Sequence, residues 1–129
     1  MKLASAFGIA ALALLANGAF AEDYVGGAVK SMDIGGKEVL VGPNDMTLYI
    51  FDKDAVGVTN CYDQCAENWP PVIADAGATP EGDFTLVDRT DGTKMWAYKG
   101  WPLYYWVKDE KPGDTTGDGV GGVWHTALE

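Results

Sequence analysis

Short apolar runs separated by turn-forming residues dominate the chain beyond residue 27. The runs are rich in Val, Ile, Tyr, Phe and Trp, which favour strands, and Gly, Pro, Asn and Asp lie between them, as is typical of turns. One helical turn is expected around the two cysteines, at 59–69, with Thr59 or Asn60 as its N-cap. The pattern predicts an all-β or β-rich α+β fold made of short antiparallel strands. The expected strands are 28–32, 37–41, 47–51, 84–87, 94–98, 103–107 and 123–127.

Residues 1–21 have the three parts of a secretory signal peptide. A basic start at Met1-Lys2 is followed by an uncharged run of 14 residues at 3–16, and Ala19-Phe20-Ala21 has the A-x-A form of a cleavage site. The uncharged run is shorter than the about 20 apolar residues that a membrane span needs. We therefore expect no stable membrane span, cleavage near Ala21-Glu22, export to the periplasm or the cell exterior, and a single mature domain at 22–129.

The charge balance is strongly acidic, with 9 Lys and Arg against 19 Asp and Glu and a formal net charge of −10. Such a chain, with the single arginine Arg89, repels phosphate groups, so we expect no nucleic-acid partner and no binding to anionic lipid. His125 is the one histidine, which excludes a zinc site of three histidines within one chain. The one serine after residue 21, Ser31, lies outside any G-x-S-x-G pattern. These exclusions favour a protein that is not an enzyme but leave catalysis open.

A repeat extends over the second two-thirds of the chain. When the sequence is shifted by 55 positions, residues 48–54 align with residues 103–109, and four of the seven positions are identical. We therefore predict two copies of one unit, at about 28–71 and 84–128. Each copy is too small to hold a core alone, so the two copies are expected to pack together.

Both copies contain the pattern Tyr-x-aromatic-x-x-Asp. Residues two apart in a strand face the same way, so each tyrosine and the aromatic residue that follows it form one wall. One interpretation is a core strand closed by a turn whose backbone N–H groups bond the Asp carboxylate. The other is a ligand site on which tyrosine hydroxyls and carboxylates converge. The motif residues are Tyr49, Phe51 and Asp54 in the first copy, and Tyr104, Trp106 and Asp109 in the second.

The motif and several further stretches resemble the bacterial secreted-repeat family, which consists of predicted lipoproteins with a Y-x-[FWY]-x-x-D motif. The likeness covers nearly all of 25–128. It implies an exported, repeated protein of a family without an established biochemical activity. One departure is that no cysteine lies near Ala21, so we expect no lipid anchor. The further matching stretches are 61–71, 89–93, 102–105 and 112–125.

Cys61 and Cys65 are the only cysteines, and export places them in an oxidising compartment. A disulfide between them closes a loop of five residues and stabilises the fold by about 2 kcal/mol in the chain-entropy model. Because an i,i+4 bridge strains a regular helix, we expect a distorted turn. The alternatives are a redox pair or a two-thiolate site for Cu(I), although the usual catalytic spacing is C-x-x-C.

The stretch 114–119 places oxygen atoms at alternate positions before a glycine, as in the first half of an EF-hand calcium loop. The candidate ligands are Asp114, Thr116 and Asp118. The twelfth position counted from Asp114 is His125, where an EF-hand has a bidentate glutamate. A loop shaped by Gly and Asp turn geometry is therefore the main interpretation, and weak extracellular Ca²⁺ binding is the alternative.

Six aromatic residues between positions 96 and 106 are more than a core needs, so we expect one or two on the surface. We expect His125 to be hydrogen-bonded beside the core. The residues together predict a small exported, non-enzymatic binding or structural module of the cell envelope, with an unknown envelope protein or a small ligand as partner. No cofactor is expected, with calcium or copper as the alternative. Two other functions stay open, namely metal or redox handling through Cys61/Cys65 or the 114–118 loop, and a carbohydrate-active site that uses Asp or Glu with exposed Trp or Tyr.

Overall fold

A computed structural model describes residues 20–129, with side chains from residue 22 onward. Residues 1–19, which contain most of the predicted signal peptide, lie outside the described residues. In the described part, short strands alternate with turns, and one short α-helix lies between the fourth and fifth strands. The elements in chain order are β1 (Phe20–Tyr24), β2 (Val29–Ile34), β3 (Lys37–Val41), β4 (Tyr49–Phe51), α1 (Gln64–Asn68), β5 (Phe84–Asp88), β6 (Lys94–Tyr98), β7 (Trp101–Pro102) and β8 (Trp124–Thr126).

All pairs of neighbouring strands are antiparallel. One three-stranded sheet has the order β1-β2-β3, another has the order β5-β6-β7, and β4 pairs with β8. Backbone hydrogen bonds also join the repeats, since Tyr49 N donates to Tyr104 O (2.8 Å) and Tyr104 N donates to Tyr49 O (3.0 Å). The predicted β-rich fold, with two packed repeats and one helical turn beside the cysteines, is confirmed.

Each repeat contributes its last segment to the other repeat. Ala127 N donates to Leu48 O (2.9 Å), which joins the end of the second repeat to the first. The equivalent residues, 55 positions away, are Val72 and Leu103, and Val72 N donates to Leu103 O (3.0 Å). This second bond joins the end of the first repeat to the second. Equal contacts with exchanged partners define a pseudo-two-fold relation between the repeats. Because each repeat holds part of the other's backbone pairing, neither repeat buries its apolar face alone.

Two clusters of buried side chains form the core, and each contains residues from both repeats. The aliphatic core consists of Val29, Leu40, Leu48, Val72, Ala74, Phe84, Trp96, Leu103 and Ala127. The aromatic core consists of Tyr49, Phe51, Cys61, Trp69, Val87, Met95, Ala97, Tyr104 and Trp124. The aromatic core contains Tyr49, Tyr104 and Phe51 of the repeat motif, whereas Trp106 is half-buried.

The start of the described chain differs from the sequence prediction. The strand β1 was not expected, because the A-x-A cleavage pattern covers its first two residues. It pairs with β2, with Asp23 opposite Lys30 and Tyr24 opposite Val29. A cleavage between Ala21 and Glu22 therefore leaves these two pairs in the mature chain.

Four further elements are shorter than expected, and β4 and β8 keep three residues each of the strands expected at 47–51 and 123–127. The helix covers Gln64–Asn68 instead of 59–69, because Asp63 has a φ of 56°, and no α-helix contains a positive φ. The strand expected at 103–107 is reduced to isolated bridges at Tyr104. A turn closed by the hydrogen bond from Asp109 N to Trp106 O (3.1 Å) ends the extended conformation there.

Candidate functional site

The repeat motifs meet as two reciprocal pairs. The hydroxyl of Tyr49 donates to Asp109 Oδ2 at 2.6 Å, and the hydroxyl of Tyr104 donates to Asp54 Oδ2 at 2.6 Å. Each pair joins the tyrosine of one repeat to the aspartate of the other. All four side chains are buried, with Asp54 7% exposed and Asp109 8% exposed. The motif therefore joins the two repeats from inside.

Local structure explains the position of each motif aspartate. The extended segment that carries each tyrosine ends in a tight turn, in which Asp54 N donates to Phe51 O (3.0 Å) and Asp109 N donates to Trp106 O (3.1 Å). After the turn, each carboxylate contacts the tyrosine of the other repeat. In both copies the motif therefore places a buried aspartate at the end of a turn.

The Asp54 cluster consists of Asp54, Tyr104, Thr59 and Asn60. Asp54 Oδ1 accepts a hydrogen bond from Asn60 N (2.7 Å), and the hydroxyls of Tyr104 and Thr59 are 2.6 Å apart. Burial raises the pKa of the Asp54 carboxyl, and the hydrogen bonds from Tyr104 and Asn60 oppose that rise. Burial, followed by the hydrogen bond to Asp54, also holds the pKa of Tyr104 far above its ordinary value. Asp54 is thus a carboxyl group that burial disfavours in its charged form.

Arg89 lies next to this cluster and was not singled out as a site residue by its sequence pattern. Its side chain is 8% exposed, and its NH2 group donates to Cys61 O at 3.3 Å. Its guanidinium carbon lies 4.6 Å from the ring centroid of Tyr62, within cation–π range. Its positive charge partly opposes the rise in the pKa of Asp54 that burial causes. A lone arginine in a strongly acidic chain was the one signal that pointed to such a role.

The Asp109 cluster consists of Asp109, Tyr49, Thr116 and Gly117. Asp109 Oδ1 accepts hydrogen bonds from Thr116 N (2.9 Å) and Thr116 Oγ1 (2.7 Å). The hydroxyl of Tyr49 accepts a hydrogen bond from Gly117 N at 3.1 Å. Burial is the largest cause that holds the pKa of Tyr49 far above its ordinary value, and the bond to Asp109 adds to it. This cluster therefore organises the loop that carries the calcium candidates.

A stack of four aromatic rings crosses the pseudo-two-fold axis. Its order is Trp106, Trp69, Trp124 and Phe51, with successive centroid distances of 4.0, 3.8 and 4.1 Å. The edge of Tyr49 lies against Trp69 (5.4 Å), and Tyr104 lies against Trp124 in the same way (5.2 Å). The aromatic members of both motifs thus form the two ends of one stack.

The sulfur atoms of Cys61 and Cys65 lie at bonding distance, 2.11 Å, with their Cα atoms 5.2 Å apart. Cys61 is fully buried in the aromatic core, and Cys65 lies in α1. The bridged segment begins before the helix and contains Asp63, whose φ is positive. It is therefore a distorted turn, as expected. The disulfide closes the segment 61–65, and the carbonyl of Cys61 accepts the hydrogen bond from Arg89.

The calcium candidates each bond to the protein backbone or to a side chain in their own neighbourhood. Asp114 Oδ2 accepts hydrogen bonds from Glu110 N and Lys111 N, and Asp118 Oδ1 accepts one from Thr126 N. Thr116 donates to Asp109. From residue 20 to residue 129, no three His, Cys, Asp or Glu side chains are grouped so that they could hold a metal ion.

His125 lies in β8 at the surface. Its Nε2 atom is 2.8 Å from Asp52 Oδ2, and both side chains are just under half exposed. Of the six aromatic residues between positions 96 and 106, Trp96 and Tyr104 are buried and the other four are half-buried. The half-buried residues are Tyr98, Trp101, Tyr105 and Trp106.

Two adjoining cavities open on the side of the molecule that carries β1. Their volumes are about 980 and about 380 Å³, and they share Val25, Gly26 and Glu81. In the smaller one, the ring of Phe84 lies 5.0 Å from that of Tyr24 and 5.1 Å from that of Tyr98. None of the residues that line it is basic. We call it the aromatic–acidic cavity, and its aromatic and acidic lining residues are Tyr24, Phe84, Tyr98, Asp23, Glu81, Asp83 and Glu129.

These features define a β-rich protein of two interlocked repeats whose shared motif closes the interface between them. The family described as a secreted repeat of unknown function matches the chain twice, over 30–73 and 85–128, and the chain belongs to that family. The predicted family is therefore confirmed. No curated protein and no solved structure matches the chain.

The family is a secreted one, which agrees with the export that the N-terminal sequence predicts. Its activity is unknown, so the family match itself assigns no ligand and no reaction. In the described part of the chain, no helix is long and apolar enough to cross a membrane.

Proposed function

We propose that the protein is an exported, non-enzymatic binding module of the cell envelope, released by signal-peptide cleavage near Ala21-Glu22, and that it binds an organic ammonium compound in the aromatic–acidic cavity. The observation that carries this proposal is the lining of that cavity, in which three packed aromatic rings lie beside four carboxylates and no basic residue. A concave site with an apolar body and a few charged groups is the usual form of a small-ligand site.

The burial of the motif carboxylates supports binding over catalysis. Asp54 and Asp109 each accept a tyrosine hydroxyl inside the protein and are less than a tenth exposed. A glycosidase needs two carboxyl groups that both reach a sugar in an open cleft. The two motif aspartates do not meet this requirement, so the most conspicuous acidic residues of the repeats support the fold instead of a reaction.

The cavity chemistry favours a cation. Aromatic ring faces attract ammonium groups, and the attraction grows when the cation is partly desolvated. The chain supplies an internal example, since Lys99 Nζ lies 5.3 Å from the ring centroid of Tyr98. The formal net charge of −10 also concentrates cations near the surface and repels anions.

The test compares choline with 3,3-dimethylbutanol, its neutral isostere, by calorimetry and thermal shift. We expect choline to raise the melting temperature by mass action and the neutral isostere to have a much smaller effect. Replacement of two exposed lining carboxylates, Glu81→Gln with Asp83→Asn, is expected to weaken choline binding. The matched control carries the same charge change in the cysteine segment, as Asp63→Asn with Glu67→Gln, where both side chains are exposed, and is expected to bind as the unmodified protein does.

Two results would count against the proposal. If the control variant loses as much affinity as the cavity variant, choline is held only by the overall charge. If the neutral isostere binds as well as choline, the cavity recognises shape and not charge. Calcium and copper ions belong in the same screen, because the metal alternative predicts a shift with one of them and the ammonium proposal does not.

A further inference from the structure

The two ends of the four-ring stack differ in exposure. At one end Phe51 is 8% exposed and belongs to the aromatic core. At the other end Trp106 is half-buried and lines a shallow cavity of about 580 Å³ together with Val107, Lys108, Glu110 and Thr116. Phe51 and Trp106 occupy equivalent positions in the two repeats. The aromatic ring at this position is therefore buried in the first repeat and partly exposed in the second.

One face of the Trp106 ring is available to a ligand. Trp69 covers the inner face at a centroid distance of 4.0 Å. The ammonium of Lys108 lies over the ring, with its Nζ 5.9 Å from the ring centroid. Lys108 is exposed and its stem is flexible, so a ligand can displace this group at small cost. The stack thus ends on an aromatic surface that another ring can extend.

The groups around this face are polar and of both charges. Lys108 offers hydrogen-bond donors, Glu110 offers acceptors, and Val107, which is 51% exposed, adds apolar surface. Opposite charges at the rim favour a neutral ligand that both donates and accepts hydrogen bonds. The overall charge of −10 opposes nucleotides, which would otherwise suit an aromatic stack.

We propose that the open face of Trp106 is a binding site for a neutral saccharide. The flat C–H face of a pyranose ring packs on the indole, and its equatorial hydroxyl groups reach Lys108 and Glu110 at the rim. This site shares no lining residue with the aromatic–acidic cavity, so the two proposals are independent. A secreted protein meets saccharides at the cell surface, which agrees with the family to which the chain belongs.

The experiment is a titration of the full mature chain with the trimer of N-acetylglucosamine, followed through the indole N–H signals of the five tryptophans by NMR. We expect the signal of Trp106 to shift most and the binding curve to saturate. Trp106→Ala is expected to weaken binding by about tenfold or more, since it removes the stacking face. Trp101→Ala is the matched control, because Trp101 is also half-buried and lies outside the site, and its binding is expected to stay unchanged.

Trp106→Ala also removes one ring of the stack, which weakens the fold. A second variant therefore separates a loss of binding from a loss of folding. Trp106→Phe keeps a ring that suits the equivalent position, as Phe51 does, and is expected to fold normally and to bind the trimer more weakly than the unmodified protein. The proposal is overturned if the trimer shifts other tryptophans more than Trp106, or if Trp101→Ala weakens binding as much as Trp106→Ala. It is also overturned if benzyl alcohol, a neutral aromatic probe, binds the same face more tightly than the trimer.

Discussion

The Asp54 cluster and the Asp109 cluster share the tyrosine–aspartate contact and a backbone N–H donor to the carboxylate, and they differ in charge and in the chain segment around them. Both contain a tyrosine hydroxyl that donates to a carboxylate of the other repeat at 2.6 Å. Around Asp54 the chain adds a buried arginine and a disulfide-closed turn. Around Asp109 it adds only backbone and hydroxyl groups of the following loop. The two tyrosine–aspartate contacts are thus equal, but their surroundings have diverged, and Arg89 of the second repeat adds an unmatched contact to Cys61 O of the first.

The comparison shows two ways to satisfy the same buried carboxylate. A buried carboxylate is stable only if hydrogen bonds and nearby positive charge replace the water that it lost. Asp109 receives three such hydrogen bonds, one from Tyr49 and two from Thr116. Asp54 receives two, and the charge of Arg89 assists them. The Asp54 half should therefore be the more sensitive to changes in charge and pH.

The largest effect is expected from the removal of the buried charge. Arg89→Met is expected to reduce the free energy of unfolding by about 3 kcal/mol. The substitution leaves Cys61 O without its hydrogen-bond donor and removes the cation–π contact with Tyr62. It also removes the positive charge that stabilises ionised Asp54. Urea unfolding measures this difference. The control is Lys37→Met, which removes an exposed positive charge and should change stability by less than about 0.5 kcal/mol. Equal losses in the two variants would mean that overall charge, and not the buried contacts, is responsible.

Reduction of the disulfide is expected to weaken the Asp54 half selectively. Opening the Cys61–Cys65 loop should reduce stability by about 2 kcal/mol. Amide hydrogen exchange tests the selectivity, because Asn60 N donates to Asp54 and Thr116 N donates to Asp109. Protection should fall further at Asn60 than at Thr116. A thiol-reactive reagent should find no free thiol in the native protein, and a prompt reaction would favour the redox alternative.

Removal of either tyrosine hydroxyl is expected to produce equal losses, because the two tyrosine–aspartate contacts are equal. Tyr49→Phe and Tyr104→Phe should each reduce stability by about 1 to 2 kcal/mol, since each leaves a buried carboxylate oxygen and one further polar group without a partner. Chemical unfolding of both variants measures the two values. Tyr105→Phe is the control, since burial alone raises the pKa of Tyr105 and no hydrogen bond from the described residues acts on that hydroxyl. Unequal losses would show that the surroundings of the pairs change the strength of the shared contact.

The β-rich fold was predictable from the sequence because its strands follow local rules. Two predicted strands, 37–41 and 94–98, match β3 and β6 at both ends, since strand-forming residues and turn residues alternate there. The strand β1 was not predictable, because its sequence also satisfies the rules for a cleavage site. The strand expected at 103–107 failed for another reason: its backbone pairs on both sides through isolated bridges, which no local pattern encodes.

The residues of the candidate site were predictable from the sequence, but the hydrogen bonds between them were not. The shift of 55 positions identified Tyr49, Asp54, Tyr104 and Asp109 as equivalent residues. It did not show that each tyrosine bonds to the aspartate of the other repeat, because a repeat pattern contains no information about which copy supplies a partner. The aromatic–acidic cavity was also beyond prediction, since its lining comes from β1, the β5–β6 hairpin and the chain end, which are far apart in sequence.

The smallest predicted effect concerns pH, and it has opposite signs at two aspartates. Burial raises the pKa of Asp54 above its ordinary value of 3.8, so the folded state holds that proton more tightly than the unfolded state. The stability that Asp54 contributes is therefore full below that value and is lost as pH rises through the raised pKa of the folded state. Asp54→Asn cannot ionise, so its stability relative to the unmodified protein should increase from about pH 3 to about pH 7. Urea unfolding across this range measures the trend.

Asp91→Asn is the control of opposite sign. Hydrogen bonds from the hydroxyl and the backbone N–H of Thr93 lower the pKa of Asp91, so its contribution to stability is present above the ordinary value and is lost as pH falls. The stability of this variant relative to the unmodified protein should therefore decrease over the same pH range. Because Asp91 is exposed, its trend should be the weaker of the two. If both variants gave the same trend, the pH dependence would come from the overall charge of −10 and not from the burial of Asp54.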